Sequence, residues 1–193
     1  MKWIGRILGG LAAVAVLCIA GLWLAGLRPN HGRNSGTVEI NRPAAQVWRY
    51  LTNDELTKRW VSGLDEIQHL TPGVSGAGEK LRLRERYEGN VAEMEMTMGR
   101  VEAPQHMQFT IIGLGDPSNG FTEKGEYVLE ERDGKTRVTL SGQTEYHGLL
   151  VRLMEPLITP AADKKLAGDL ARLKVLVEAE PLGTGAPPAI DKK

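Results

Sequence analysis

EKLRLRERYEGNVAEMEMTM, residues 79–98, decides the fold. Apolar and charged side chains alternate on both sides of Gly89-Asn90, the period of a β-strand. Gly89-Asn90 itself is a two-residue hairpin signal with glycine first. Closing the hairpin there sets Glu88 opposite Val91, Arg86 opposite Glu93 and Arg84 opposite Glu95. The other face then pairs Tyr87 with Ala92, Glu85 with Met94, Leu83 with Met96 and Leu81 with Met98. One face is a ladder of opposite charges and the other is apolar, as in a sheet with water on one side.

A second hairpin turns at Asp133-Gly134. It sets Glu130 opposite Arg137 on the wet face, and Leu129 opposite Val138, Tyr127 opposite Leu140 and Glu123 opposite Thr144 on the dry one. Gly125 predicts a bulge in this ladder. Between the hairpins, Met107, Phe109 and Ile111 alternate in a further strand. Upstream, Thr37 to Ile40 alternates as a strand. Pro43 opens a helix at its first turn, with Ala44, Val47, Trp48 and Leu51 on one face. Asn53 or Asp54 caps a second short helix ending near Trp60. From Gly148 to about Ala179 the pattern is helical, with a stripe of Leu166, Leu170, Leu173 and Val177. Pro156 and Pro160 predict a kink or break in its first half. Strands closed by helices indicate an α+β fold.

The N-terminal part is different. ILGGLAAVAVLCIAGLWLAGL, Ile7 to Leu27, carries no charge and matches the roughly 20 residues that a membrane-spanning helix needs. A cleaved signal peptide is the competing reading; its apolar core is shorter and Leu24-Ala25-Gly26-Leu27 is a weak cleavage site. Lys2 and Arg6 before the run nearly balance Arg28 and Arg33 after it. A short basic N-terminus ahead of an apolar run favours a single-pass anchor with the domain on the non-cytoplasmic side. The expected organisation is therefore an anchor over 1–27, a linker over 28–35, a domain over 36–180 and a disordered tail over 181–193.

The 193-residue chain holds 24 basic and 24 acidic residues and one cysteine, Cys18. Lys2 and Arg6 are the only charged residues before Arg28, so the remainder has a small acidic excess. No basic stripe marks a nucleic-acid surface, and Cys18 has no partner for a disulfide. His31, His69, His106 and His147 lie far apart without metal-ligand spacing. Gly73, Gly76 and Gly78 precede a strand, not a helix, which argues against a phosphate cradle. No cofactor motif is present.

The segment Val38-Glu39-Ile40-Asn41-Arg42-Pro43-Ala44-Ala45-Gln46-Val47-Trp48-Arg49-Tyr50-Leu51-Thr52-Asn53, then Arg59-Trp60 and the closing Ala171-Arg172-Leu173-Lys174-Val175-Leu176, resembles the START/Bet v1-like (SRPBCC) superfamily, in its polyketide cyclase/dehydrase-like group. The resemblance covers roughly Gly36 to Ala179. It implies a helix-grip fold, a curved antiparallel sheet around a long C-terminal helix, with a hydrophobic small molecule or lipid held between them. The group has no shared catalytic motif, so no catalytic residue carries over. A membrane-anchored binding domain is the expected function. A cyclase or dehydratase-like enzyme and a non-catalytic envelope protein acting through protein partners are the alternatives.

The candidate ligand-binding residues are the inward ones: Trp60, Leu81, Leu83, Glu85, Tyr87, Met94, Met96, Met98, Phe109, Tyr127, Leu140 and Tyr146. Met94, Met96 and Met98 are adaptable and unbranched. Glu85, between Leu83 and Tyr87 on the dry face, is costly there unless it is paired. It can orient a ligand hydroxyl or exchange a proton; Glu123 is a similar case. The three tyrosines offer a polar end to an apolar pocket, although core tyrosines with satisfied hydroxyls are the commoner arrangement.

Overall fold

The computed structural model describes residues 10, 14, 16–17, 19–21, 32–87, 89–116 and 120–181. The two hairpins lie in one antiparallel sheet of seven strands, ordered β1-β7-β6-β5-β4-β3-β2. The strands are β1 Gly32–Ile40, β2 Leu64–His69, β3 Lys80–Tyr87, β4 Asn90–Glu102, β5 His106–Gly113, β6 Phe121–Arg132 and β7 Lys135–Tyr146. Two short helices, α1 Ala44–Thr52 and α2 Asp54–Trp60, follow β1, and α3 Leu149–Ala179 closes the domain. First and last strands pair, so α3 leaves β7 and lies back along β1. This is the helix-grip arrangement.

The second hairpin has the expected register at every position: Glu130 faces Arg137, Leu129 faces Val138, Tyr127 faces Leu140 and Glu123 faces Thr144. Asp133 and Gly134 adopt φ of 52° and 72°, the left-handed pair that a two-residue turn of this kind requires. The expected bulge at Gly125 is absent, because Gly125 pairs in step with Gly142. Gly125 serves a close approach instead. A Cβ there would lie 2.3 Å from Cζ of Phe109, whose ring occupies the space.

The first hairpin is shifted by two residues from the expected register. Tyr87 pairs with Asn90, Glu85 with Ala92, Leu83 with Met94 and Leu81 with Met96. Glu88 lies outside the described residues. A two-residue shift leaves every side chain on its own face, so the inward set survives while its partners change. Gly89 sits in the turn in either register and takes φ +85°. The charged face is realised with shifted partners: Arg84 reaches Glu93 at 3.9 Å and Lys80 reaches Glu95 at 3.1 Å. Such exposed pairs stabilise by ~0–1 kcal/mol each.

β1 begins at Gly32, earlier than the expected Thr37, so residues 32–35 are strand and not linker. Local propensity is overridden by the neighbour: β7 continues to Tyr146 and offers partners to the whole of Gly32–Ile40. Gly36 has a packing reason, since a Cβ there would lie 2.7 Å from Leu170 Cδ1 on α3.

Pro43 is the N-cap of α1, one place before its expected position. Asn53 caps α2, its side chain accepting the Leu56 N–H at 3.1 Å. α3 is assigned as one helix through Pro156 and Pro160, without the expected break. The spacing of four puts both lost N–H bonds on one side of the helix, and both prolines are exposed there, where water reaches the freed carbonyls. Leu166, Leu170, Leu173 and Val177 form the buried stripe as expected. They pack with Ile40, Val47, Tyr50, Trp60, Met98, Phe109 and Val138 in the main core. A smaller cluster of Leu64, Leu83 and Met94 lies toward the β2 edge.

The anchor segment falls mostly outside the described residues. Among the described residues no helix is long and apolar enough to cross a membrane. Gly10, Val14, Val16, Leu17, Ile19, Ala20 and Gly21 are described, and all are helical and exposed. Residues 182–193 of the expected tail also lie outside the description.

Candidate functional site

Strand alternation delivers two carboxylates to the inner face: Glu85 follows Leu81 and Leu83 on β3, and Glu123 precedes Gly125 and Tyr127 on β6. The helix answers with Lys165 and Asp169, one turn apart. Lys165 Nζ lies 3.6 Å from Glu85 Oε1 and 3.1 Å from Asp169 Oδ2. Asp169 is buried, 5% exposed. Its Oδ1 accepts the Ser62 N–H at 3.0 Å and lies 3.6 Å from Arg172 Nη1. Arg172 in turn donates to the Trp60 carbonyl at 3.2 Å. Asp169 therefore ties the α2–β2 connection to α3 and holds Lys165 over the sheet.

Burial pushes the Glu85 carboxyl above the usual range; Lys165 pulls it down and Asp169 adds to the rise. Burial likewise raises Glu123, the Glu85 charge raises it further, and Lys165 opposes. The buried Tyr127 hydroxyl is pushed far up, first by desolvation and then by Glu123, Asp169 and Glu85. Desolvation also raises Tyr146. Two carboxyls whose hold on the proton is strengthened by desolvation thus share the field of a single ammonium, Lys165.

Glu123 borders a cavity of 160 Å³ between the sheet and the first half of α3. Phe121, Thr144, Tyr146, Ile158, Thr159 and Ala162 complete most of its wall. Gly142 makes room for two side chains of the cavity wall: a Cβ there would lie 2.4 Å from Asn34 Oδ1 and 2.6 Å from Glu123 Oε1. A larger depression of 620 Å³, lined by Arg33, Ser35, Gln108, Lys124, Glu126 and Gln143 among others, lies on the sheet's other face. It is open and lined mainly by outward-facing polar side chains. The inner cavity is the candidate site because a desolvated carboxyl, Glu123, borders it.

The structure divides the expected ligand contacts. Tyr146 lines the cavity and Glu85 reaches the same charge cluster. Leu81, Leu83, Met94 and Met96 form the apolar layer beyond Phe121. Met98 and Phe109 are buried in the main core, with Leu140 packed against it. Tyr127 stands between Trp60 and Phe109, ring centroids 6.5 and 5.7 Å away. Trp60 is a packing residue, 2% exposed, its Nε1 donating to the Tyr50 carbonyl at 2.8 Å. The side chain of Tyr87 lies outside the described residues. Sequence reasoning missed Asn34, Thr159, Lys165 and Asp169. The available signal was Lys165 and Asp169 flanking the Leu166/Leu170 stripe at i, i+4. Among the described residues no group of three or more His, Cys, Asp or Glu side chains is placed to hold a metal ion.

Glu123 gives a pH prediction. Its folded pKa is raised, so the folded state holds its proton more tightly than the unfolded chain does. Its contribution is then most favourable at low pH and declines as pH climbs from the ordinary carboxylate range through the raised folded value. Glu123→Gln is expected to raise the melting temperature at pH 7 by a few degrees, with the gain shrinking at pH 4. Thermal melts at the two pH values check this; an equal gain at both excludes relief of a buried charge.

A helix-grip fold with a polar-ended cavity under the helix defines a class of small-molecule-handling domains. Residues 32–178 match the family model described as "Polyketide cyclase / dehydrase and lipid transport", and the chain belongs to that family. Solved structures agree on the fold. A conserved protein from Geobacillus kaustophilus superposes with a TM-score of 0.64 at 13% identity, over 75% of this chain and 94% of its own. Zhui aromatase/cyclase from a Streptomyces species gives 0.62 at 14%, over 77% and 94%. Ara h 8.0201 gives 0.59 at 17%, over 78% and 99%. Among curated proteins none matches the chain by sequence.

Proposed function

We propose that the domain binds a hydrophobic small molecule or lipid between the sheet and α3, with the molecule's polar group at Glu123 and Tyr146. The observation that carries this reading is the half-buried, desolvated Glu123 beside a largely apolar cavity. A carboxyl there costs stability, and the core beyond it is complete without it. The cavity of 160 Å³ is smaller than the ~300–1,000 Å³ typical of ligand sites. A ligand fills it and the volume released as Met94 and Met96 swing away; unbranched methionines rearrange at low cost. The apolar run from Ile7 to Leu27 acts as a membrane tether, which keeps the domain where such molecules reside. The exposed helical Val14, Val16, Leu17 and Ile19 are consistent with that use. We place the domain on the non-cytoplasmic side.

The test is incubation of the purified full chain with a total lipid extract, re-isolation, and mass spectrometry of what it retains. A discrete lipophilic compound is expected from the parent chain. Ala162→Phe, which fills the cavity from α3, is expected to lose it while still folding. No retained compound, or equal retention by both chains, overturns the reading. A second reading, acid–base cyclisation or dehydration, has Glu123 in its favour: a carboxyl whose hold on its proton is strengthened by desolvation, in reach of a bound molecule, is suited to general-acid work. Recovery of a dehydrated or cyclised form of an added compound decides for it.

A further inference from the structure

The exposed apolar side chains of the domain gather at one end. The pairings set Gly32 beside Thr144, Tyr146 beside Phe121, Thr122 beside Ile112, Gly113 beside Met94 and Val91 beside Arg86. These residues form one end of the sheet, and α3 starts there, at Leu149. Val91, Ile112, Leu114, Leu150, Met154 and Leu157 are large, apolar and exposed at this end. Beyond residue 31, the other described ones are Val74 and Val175. Leu150, Met154 and Leu157 recur at helical spacing in one stripe, and Leu150 and Leu157 are 63% and 71% exposed.

α3 also overhangs the sheet. Ile158 and Thr159 share the cavity wall with Gly32, the first residue of β1. The helix from Leu149 to Ile158 is about 14 Å long at 1.5 Å per residue, so it projects past the start of β1. The apolar run ends at Leu27. The chain from Leu27 to Gly32 spans at most about 18 Å when fully extended.

We propose that this end of the domain lies on the lipid bilayer, with Leu150, Met154 and Leu157 entering its surface and the cavity mouth beside Gly32 facing lipid. The inference rests on the tether reading of residues 7–27. The short connection leaves this end within reach of the membrane, and the stripe supplies the apolar face that an interfacial helix buries. A ligand then passes between bilayer and cavity without crossing water.

The experiment uses the full chain in phosphatidylcholine vesicles, which carry no net charge and so report apolar insertion. In a Cys18→Ser background, an environment-sensitive fluorophore is attached through Leu157→Cys, Leu150→Cys or, as control, Val175→Cys. The chain is expected to float with the vesicles. Labels at 157 and 150 are expected to shift to the blue and to lose most of their emission to a shallow spin-labelled lipid, with no loss at 175. Flotation with a 157 label that behaves like 175 overturns the proposal and leaves the tether standing. A 157 label shielded from aqueous iodide but untouched by the spin-labelled lipid means that protein covers the stripe, and also overturns it. Failure to float removes the tether reading and this proposal with it.

Discussion

Asp169→Ala is expected to lower the unfolding free energy by about 3 kcal/mol, more than any other single change in the charge cluster. The carboxylate satisfies the Ser62 N–H at 3.0 Å and Lys165 at 3.1 Å, and lies 3.6 Å from Arg172. At 5% exposure no water replaces it fully, so alanine leaves the Ser62 N–H without its acceptor and Lys165 with one carboxylate in place of two. The cost comes from groups left behind, not from the removed side chain itself. Asp169→Asn retains an oxygen for Ser62 and loses the charge, so it is expected to fall between the parent and alanine. Urea unfolding checks both: the midpoint moves and the slope stays the same. Alanine within 0.5 kcal/mol of the parent would show that the cluster does not hold α3 to the α2–β2 connection. The change also frees Lys165, which couples stability to the site. With its second carboxylate gone, Lys165 pairs with Glu85 alone, and the Asp169 charge no longer raises the Glu85 pKa.

The same cluster marks where sequence reading stops. Glu85 and Glu123 are legible as inward-facing acids because strand alternation is strict and a carboxylate on an apolar face stands out. Lys165 and Asp169 are not, because charges on a long helix usually cover its solvated side. Only the register of the sheet and the path of α3 along β1 bring them over the strands. Interior position depends on pairing that is distant in sequence, and no local pattern records it.

The two hairpins show the same limit at shorter range. Asp133-Gly134 leaves one solution, since both residues take left-handed conformations. Gly89 fits either of two loops that differ by two residues, and both keep Leu81, Leu83 and Glu85 inward. Face is therefore readable where partner is not. The start of β1 is hidden for a related reason. Gly32, Asn34, Ser35 and Gly36 carry poor strand propensity, yet β7 extends opposite them. Gly36 is needed small because Leu166 and Leu170 press against it. The C-terminal stripe of leucines is legible because its period needs no partner to be recognised.

Trp60 is buried in the core, and its removal carries the largest expected effect. Trp60→Ala is expected to cost about 4 kcal/mol, in the range for deleting a buried aromatic ring. The ring is 2% exposed and meets Tyr127 edge-on at 83°. Its loss opens a hole between α2, β6 and α3 that the surrounding elements, pinned by the Arg172–Trp60 carbonyl bond, cannot close. Trp60→Phe separates packing from hydrogen bonding. It keeps most of the volume and surrenders the Nε1 bond to the Tyr50 carbonyl, which still accepts the Thr57 hydroxyl at 3.0 Å. That variant is expected to cost about 1 kcal/mol. A ligand-contact role makes a different prediction: Trp60→Phe would weaken retention of the lipophilic compound with little change in stability. Denaturation and mass spectrometry on this one variant therefore distinguish a pillar of the grip from a wall of the pocket, and the burial of the ring puts the expected loss in stability.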